Sequence, residues 1–246
     1  MKKSIISALC FVLTISLYAQ KEFKATSPDG RIVATINLNE KLTYSISHDG
    51  QTVLNPSPLS ITLSSGEVWG DKPQLSKSSQ KSISQTIPSP FYRKDQIKDE
   101  YTLLTLTFKK QWEVEFRVYN DGVAYRFVNK RSKPFTIKNE EVAYNFGNDA
   151  TATVPYVAVG KDGDYEAQFH SSFENFYTTA KISELNKERL MFLPLVVEAG
   201  NGKKICISES DLESYPGLYL TNAKDNQALT SVFAPYPRST KQGGHN

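Results

Sequence analysis

Apolar and polar residues alternate at period two over much of this chain, the pattern of β-strands with one buried face. After a turn at Thr26-Ser-Pro-Asp-Gly30, residues Ile32, Ala34, Ile36 and Leu38 fall on one side of a strand. Residues 42–47 read as a second strand. His48-Asp49-Gly50-Gln51 then supplies the Asp-Gly pair favoured in tight hairpins, because glycine accepts positive φ without steric cost. The return strand, 52–54, is expected to stop at Pro56 and Pro58, with 59–63 as a separate strand. Residues 64–100 are rich in Ser, Lys, Gln and Pro and predict long loops with one short edge strand.

The strongest signal follows. Residues 101–108 are β-branched and apolar, and 112–119 place Trp112, Val114, Phe116 and Val118 on one face with Glu113, Glu115 and Arg117 on the other. Asn120-Asp121-Gly122 turns the chain into a return strand, 123–128, giving a hairpin with one buried face. Short strands are expected at 135–137, 142–146, 191–197, 203–208, 218–220 and 228–233, and one helix at 183–190. Around a dozen strands, little helix and no internal repeat predict an all-β fold, a large antiparallel β-sandwich.

Composition narrows this picture. Thirteen Phe, 13 Tyr and two Trp suffice for a sizeable core. The formal charge of +3 falls to +1 without Lys2 and Lys3, so the basic surplus of a nucleic-acid binder is missing. Residues 1–20 carry a basic start and an apolar run from Ile5 to about Leu17, shorter than the ~20 residues of a spanning helix. They read as a secretory signal peptide cut before Lys21, which implies an exported protein, periplasmic or secreted, with no membrane span after cleavage. Without Cys10, Cys206 is the only cysteine left, so packing alone must hold the expected domain, residues 21–246.

The sequence contains no nucleophile elbow, P-loop, dinucleotide fingerprint or zinc-protease motif. Asp162-Gly163-Asp164-Tyr165-Glu166 places three carboxylates in five residues, but lacks the length and distal Glu of a calcium loop, so an exposed turn is expected. His170 with Glu174 would need a helix and a further ligand to hold zinc. Glu174 stands among Phe169, Phe173, Phe176 and Tyr177. Aromatic-flanked carboxylates face sugars or cations in some proteins and are surface residues between core rings in others, and the pattern leaves both open. A second acidic cluster, Glu209, Asp211 and Glu213, follows a hydrophobic strand and leads to Tyr215.

Several strings, in order, resemble one family. They are Ser27-Pro-Asp-Gly30, Leu42-Thr-Tyr-Ser-Ile46, Pro58-Leu59, Phe116-Arg-Val-Tyr-Asn-Asp-Gly-Val-Ala-Tyr-Arg-Phe127, Ile207-Ser-Glu-Ser-Asp-Leu212 and Tyr215-Pro-Gly-Leu-Tyr219. Together they resemble the N-terminal domain of glycoside hydrolase family 97. The resemblance implies a β-super-sandwich similar to galactose mutarotase domains, packed on a following (β/α)8 barrel that bears the catalytic carboxylates. Members are exported, calcium-dependent α-glucosidases or α-galactosidases associated with polysaccharide utilisation. In them the N-terminal domain gives one Glu to the calcium site beside the substrate. The matching position is Glu174, with Glu209 and Tyr215 as candidates facing an α-linked oligosaccharide.

The sequence ends at Asn246, about where family members cross to the barrel, so the resemblance implies that this chain alone lacks the catalytic pair. The competing expectation is a free-standing carbohydrate-binding sandwich using the rings around Phe173 and Tyr177. A mutarotase-like epimerase relying on His170 and a purely structural envelope protein complete the alternatives.

Overall fold

The computed structural model describes residues 21–235, apart from Tyr92, Val159, Asp211, Ser214 and Ala223. The expected leader, residues 1–20, lies outside the described residues. The chain begins with β1 (Glu22–Thr26), β2 (Ile32–Leu38), β3 (Leu42–His48) and β4 (Gln51–Leu63), an antiparallel meander, and β5 (Val68–Trp69) pairs back on β4. In β2 the alternation becomes alternating burial. Asp49 (φ 52°) and Gly50 (φ 74°) both take the left-handed conformation that a two-residue hairpin requires.

Strand β4 does not stop at its prolines. Pro56 and Pro58 fall where the pairing with β10 is interrupted, between Leu59↔Val142 and Asn55↔Asn145, and Pro56 also lies at a register shift against β3, whose ladder continues through Thr43↔Pro58. Ser57 Oγ fills the gap by accepting from Asn145 N at 2.9 Å.

A second sheet follows: β6 (Leu75–Pro88), β7 (Gln96–Phe108), β8 (Trp112–Val118) and β9 (Val123–Asn129). Trp112, Val114, Phe116 and Val118 are all buried, as their alternation predicts. On the outer face Arg126 meets Glu115 at 2.7 Å and Thr107 donates to Glu113 at 2.9 Å. β6 corrects the expected loops: it is a long edge strand, paired with β7 from Leu75 to Pro88. Only Leu75, Ser79 and Ile83 along it are partly buried, so it carries almost no hydrophobic periodicity.

The chain then returns to the first sheet as β10 (Ile137–Asn145), beside β4, and leaves it through β11 (Thr151–Pro155). A single helical turn, α1 (Tyr165–Gln168), precedes β12 (Tyr177–Lys181), β13 (Leu195–Gly200) and β14 (Lys203–Ile207), which form a four-stranded sheet in the order β12-β11-β13-β14. The helix expected at 183–190 is instead a 3-10 turn, Ile182–Glu184. Its polar groups are engaged elsewhere: Ser183 N and Oγ donate to Asp149, and Asn186 Nδ2 donates to Asp162.

Finally β15 (Leu218–Thr221) and β16 (Ala228–Phe233) complete an eight-stranded sheet, ordered β1-β2-β3-β4-β10-β16-β15 with β5 beside β4. Met191 and Leu220 exchange backbone hydrogen bonds of 2.9 and 2.8 Å, joining β15 to the segment before β13. One apolar cluster draws residues from all three sheets, from Ile36 and Leu59 through Phe116 to Val154 and Leu195. The fold is an all-β sandwich.

Candidate functional site

Two of the three candidate side chains come together around a glutamate that sequence reading missed. Tyr215, in the loop between β14 and β15, donates its hydroxyl to Glu140 Oε2 at 2.6 Å. Glu209 opens the same loop and closes it: Leu218 N lies 2.9 and 3.0 Å from its two oxygens. The loop therefore folds back on the start of β15, with Tyr215 reaching across to β10. Only strand pairing reveals this, because Glu140 precedes Tyr215 by 75 residues.

The charges here are held in a partly desolvated setting. Burial raises the Glu140 carboxyl, the Tyr215 bond lowers it, and the nearby Glu209 raises it further, leaving it above its ordinary value. Burial also raises Glu209, against the bond from Leu218. Tyr144 is pushed well up by burial and by both carboxylates, and Tyr125 is raised by burial with the same group of tyrosines and Glu140 around it.

A folded-state carboxyl raised above its unfolded value binds its proton more tightly when folded. Its contribution favours folding below the ordinary glutamate range of about 4.3 and opposes folding as pH rises through the raised value. Glu140→Gln keeps an acceptor for Tyr215 and removes the charge. It is expected to be more stable than the parent at pH 7, with the gain shrinking at pH 4. Urea melts at both values check this, and a variant that loses stability at pH 7 contradicts it.

Glu174 lies in the exposed loop between α1 and β12. Its backbone N–H is held by Ser172 Oγ at 3.4 Å. The rings beside it fall into two kinds. Phe173 packs edge-on against Phe192 (4.8 Å) and tilts over Tyr219 (6.5 Å), while Phe169 lies 5.3 Å from Tyr219. Phe176 stands almost wholly in solvent, at 93% exposure. Tyr219 also senses the charge of Glu209. Phe169 and Phe173 of the Glu174 loop thus lie against Tyr219 of β15, and Glu209 holds the neighbouring Leu218 N.

The remaining candidates have structural partners. Asp162 pairs with Arg189 and accepts from Asn186, and Asp164 caps α1 by accepting from Ala167 N at 3.1 Å. The helix ends at Gln168, so His170 and Glu174 do not share a helical face. Among the described residues no group of three or more His, Cys, Asp or Glu is placed to hold a metal, and no helix is long and apolar enough to cross a membrane.

Comparison with known proteins bears on the whole chain. The family model described as Glycosyl-hydrolase 97 N-terminal matches residues 25–238. A retaining alpha-galactosidase from Bacteroides thetaiotaomicron is 56% identical over all 246 residues, and the chain spans 37% of that protein's length. A glycoside hydrolase family 97 enzyme from Pseudoalteromonas sp. strain K8, solved with acarbose, shares the fold at TM-score 0.72 and 23% identity, over 87% of this chain and 32% of that one. A beta-arabinopyranosidase does so at TM-score 0.75 and 21% identity, over 87% and 35%. With its sandwich architecture and a family match across nearly all described strands, the chain belongs to the glycosyl-hydrolase 97 N-terminal family.

Proposed function

We propose that this chain is the N-terminal domain of an exported, calcium-dependent α-glycosidase acting on α-linked oligosaccharides, α-galactosides foremost. It packs on a catalytic (β/α)8 barrel and presents Glu174 to a calcium site beside the sugar cleft. The observation that carries the reading is 56% identity to a retaining alpha-galactosidase across the full chain. Export is supported by the leader-like residues 1–20.

The donor chemistry of Glu174 suits calcium. Its exposed carboxylate offers hard oxygens, though only one or two of the roughly six to eight that calcium takes. The remaining ligands would come from outside this domain. When bound, the cation offsets the charge of clustered carboxylates and polarises a sugar hydroxyl or nearby water. Glu140 and Glu209 are already committed to Tyr215 and to Leu218 N, so they serve here to hold the 208–217 loop at the rim. Hydrolysis of a glycoside needs two carboxyl groups at a defined separation across the scissile bond, and the barrel supplies them in this reading.

The test uses a fusion in which this chain replaces the matching segment of the Bacteroides relative. Glu174→Gln is expected to raise the calcium concentration for half-maximal activity by at least about tenfold. Calorimetry on the chain alone should show weak calcium binding. Tight binding that Glu174→Gln abolishes would mean that the site is complete within this chain. The exposed Phe176 and Tyr177 favour a second reading, a free-standing carbohydrate-binding module. Saturable oligosaccharide binding by the chain alone, lost in Tyr177→Ala, would support that reading instead.

A further inference from the structure

The β6–β7 hairpin ends its sheet in an open edge. β6 is the terminal strand of that sheet, with β7 as its one neighbour among the described strands. Such an edge offers unpaired backbone N–H and C=O groups, and proteins commonly block it with bulges, lysines or prolines. Here the blocks lie towards the two ends: the register shifts between Leu75 and Lys77, Lys81 adds a second charge, and Pro88 closes the strand. Between them Ser82-Ile-Ser-Gln-Thr-Ile87 carries no charge. The same stretch leaves apolar side chains in solvent, Ile87 at 42% exposure and Ile97, its partner on β7, at 40%. We propose that residues 82–88 of β6 pair antiparallel with the same residues of a second copy of this chain, about a two-fold axis at Gln85, and join the two four-stranded sheets into one.

The side-chain pattern selects this occupant. Ile83, Gln85 and Ile87 share one face with Tyr101, Asp99 and Ile97, which lie opposite them on β7, and this face is turned away from Leu104, Leu106 and Phe108 in the core. Pairing about Gln85 sets Ile83 opposite Ile87 of the second copy, and Ile87 opposite its Ile83. No other two-fold position matches every isoleucine of the strand with another, and a shift of the axis to Ser84 puts Lys81 against Ile87. With the axis at Gln85, Lys81 falls opposite position 89, past the end of the strand, so no lysine faces a lysine. The rows Tyr101–Ile83 and Ile87–Ile97 then run on across the axis and cover the isoleucines that each copy exposes. Asp99, 9% exposed, accepts from Gln85 Nε2 at 2.7 Å, so the carboxylate beside the axis residue is already paired within its own copy. An unrelated strand would have to reproduce this spacing, whereas a second copy has it by symmetry. Seven residues on each side fall well below the roughly 20–30 of a standard interface, so the dimer is expected to be weak and concentration-dependent.

Sedimentation velocity on the chain at rising concentration, with Gln85→Lys beside the parent, tests the pairing. The parent is expected to pass from monomer to dimer. Gln85→Lys sets two like charges face to face at the axis and is expected to stay monomeric at the same concentrations, with an unchanged melting temperature. Cysteine cross-linking reads the register and does not depend on the folding of that variant. In a Cys10→Ser, Cys206→Ser background, Gln85→Cys is expected to form a disulfide dimer by itself, while Ile83→Cys and Ile87→Cys cross-link when mixed and neither does so alone. A parent that stays monomeric to millimolar concentration overturns the proposal, as does a dimer that Gln85→Lys leaves intact or whose cross-links report another register. Amide exchange at residues 82–88 in the Bacteroides fusion tests the competing occupant. Protection there in a monomeric fusion means that another domain covers this edge, and overturns the proposal too. Each of these outcomes leaves the activity reading where it stands.

Discussion

Replacing Trp112 by alanine is expected to cost about 3–5 kcal/mol of stability, the range for deleting a buried aromatic. Trp112 is 3% exposed and lies between two rings: Phe108 at 3.8 Å and nearly parallel, and Trp69 at 5.6 Å and parallel within 4°. Trp69 belongs to the two-residue β5 of the first sheet and Trp112 to β8 of the second, so the stack joins the two sheets. Behind it, Phe135 meets the Trp69 ring edge-on at 5.3 Å, and the Arg131 guanidinium lies 5.5 Å from the ring centre. Arg131 in turn pairs with Glu67 at 2.6 Å, and Glu67 accepts from Trp69 Nε1 at 3.1 Å. A domain of this kind has only about 5–15 kcal/mol in hand, so the loss approaches the whole in the worst case. Urea unfolding should show a much lower midpoint with an unchanged slope. A loss below about 1 kcal/mol, the ordinary effect of a point change, would mean that the stack does not hold the sheets together.

Gln168→Met is the second large effect. The Gln168 side chain is fully buried and each amide group is used: Nε2 donates to Lys161 O (3.0 Å) and Glu188 O (2.8 Å), and Oε1 accepts from Leu190 N (2.8 Å). Gly160 lies so close that a Cβ there would come within 2.8 Å of Gln168 Cγ, at a φ of +105°. Methionine fills a similar volume but leaves the Leu190 N–H without a partner, which costs about 1–3 kcal/mol by itself. The amide ties three parts of the excursion between β11 and β13 that carries Glu174. Amide hydrogen exchange at residues 160–176 is therefore expected to speed up well beyond the rest of the sandwich. Uniform acceleration everywhere would show a global loss of stability with no local role for Gln168.

Legibility in the sequence followed burial. β2, β3 and the β8–β9 hairpin were readable because each has one dry and one wet face, and the turns after β3 (Asp49-Gly50) and after β8 (Asp121-Gly122) have their own chemistry. β6 was not, because an edge strand with both faces largely in water has no apolar period to read. β11, Thr-Ala-Thr-Val-Pro, and β12, Tyr-Thr-Thr-Ala-Lys, bury mostly small side chains such as Ala152 and Val154, and so give weak signals. The candidate site divides in the same way. Glu209, Tyr215 and Glu174 were visible as acids and rings in distinctive strings. Glu140 was hidden in Lys138-Asn-Glu-Glu141, a run that looks solvated until β4 and the distant 208–217 loop cover it.

The central claim is that this sandwich is one part of a glycosidase whose chemistry lies in another domain. The most direct test is hydrolysis of nitrophenyl α-galactoside and nitrophenyl α-glucoside by the purified chain alone and by its fusion to the remainder of the Bacteroides relative. The account predicts no sugar release above buffer from the chain and release from the fusion. Release by the chain alone, abolished by a substitution within it, would contradict the account.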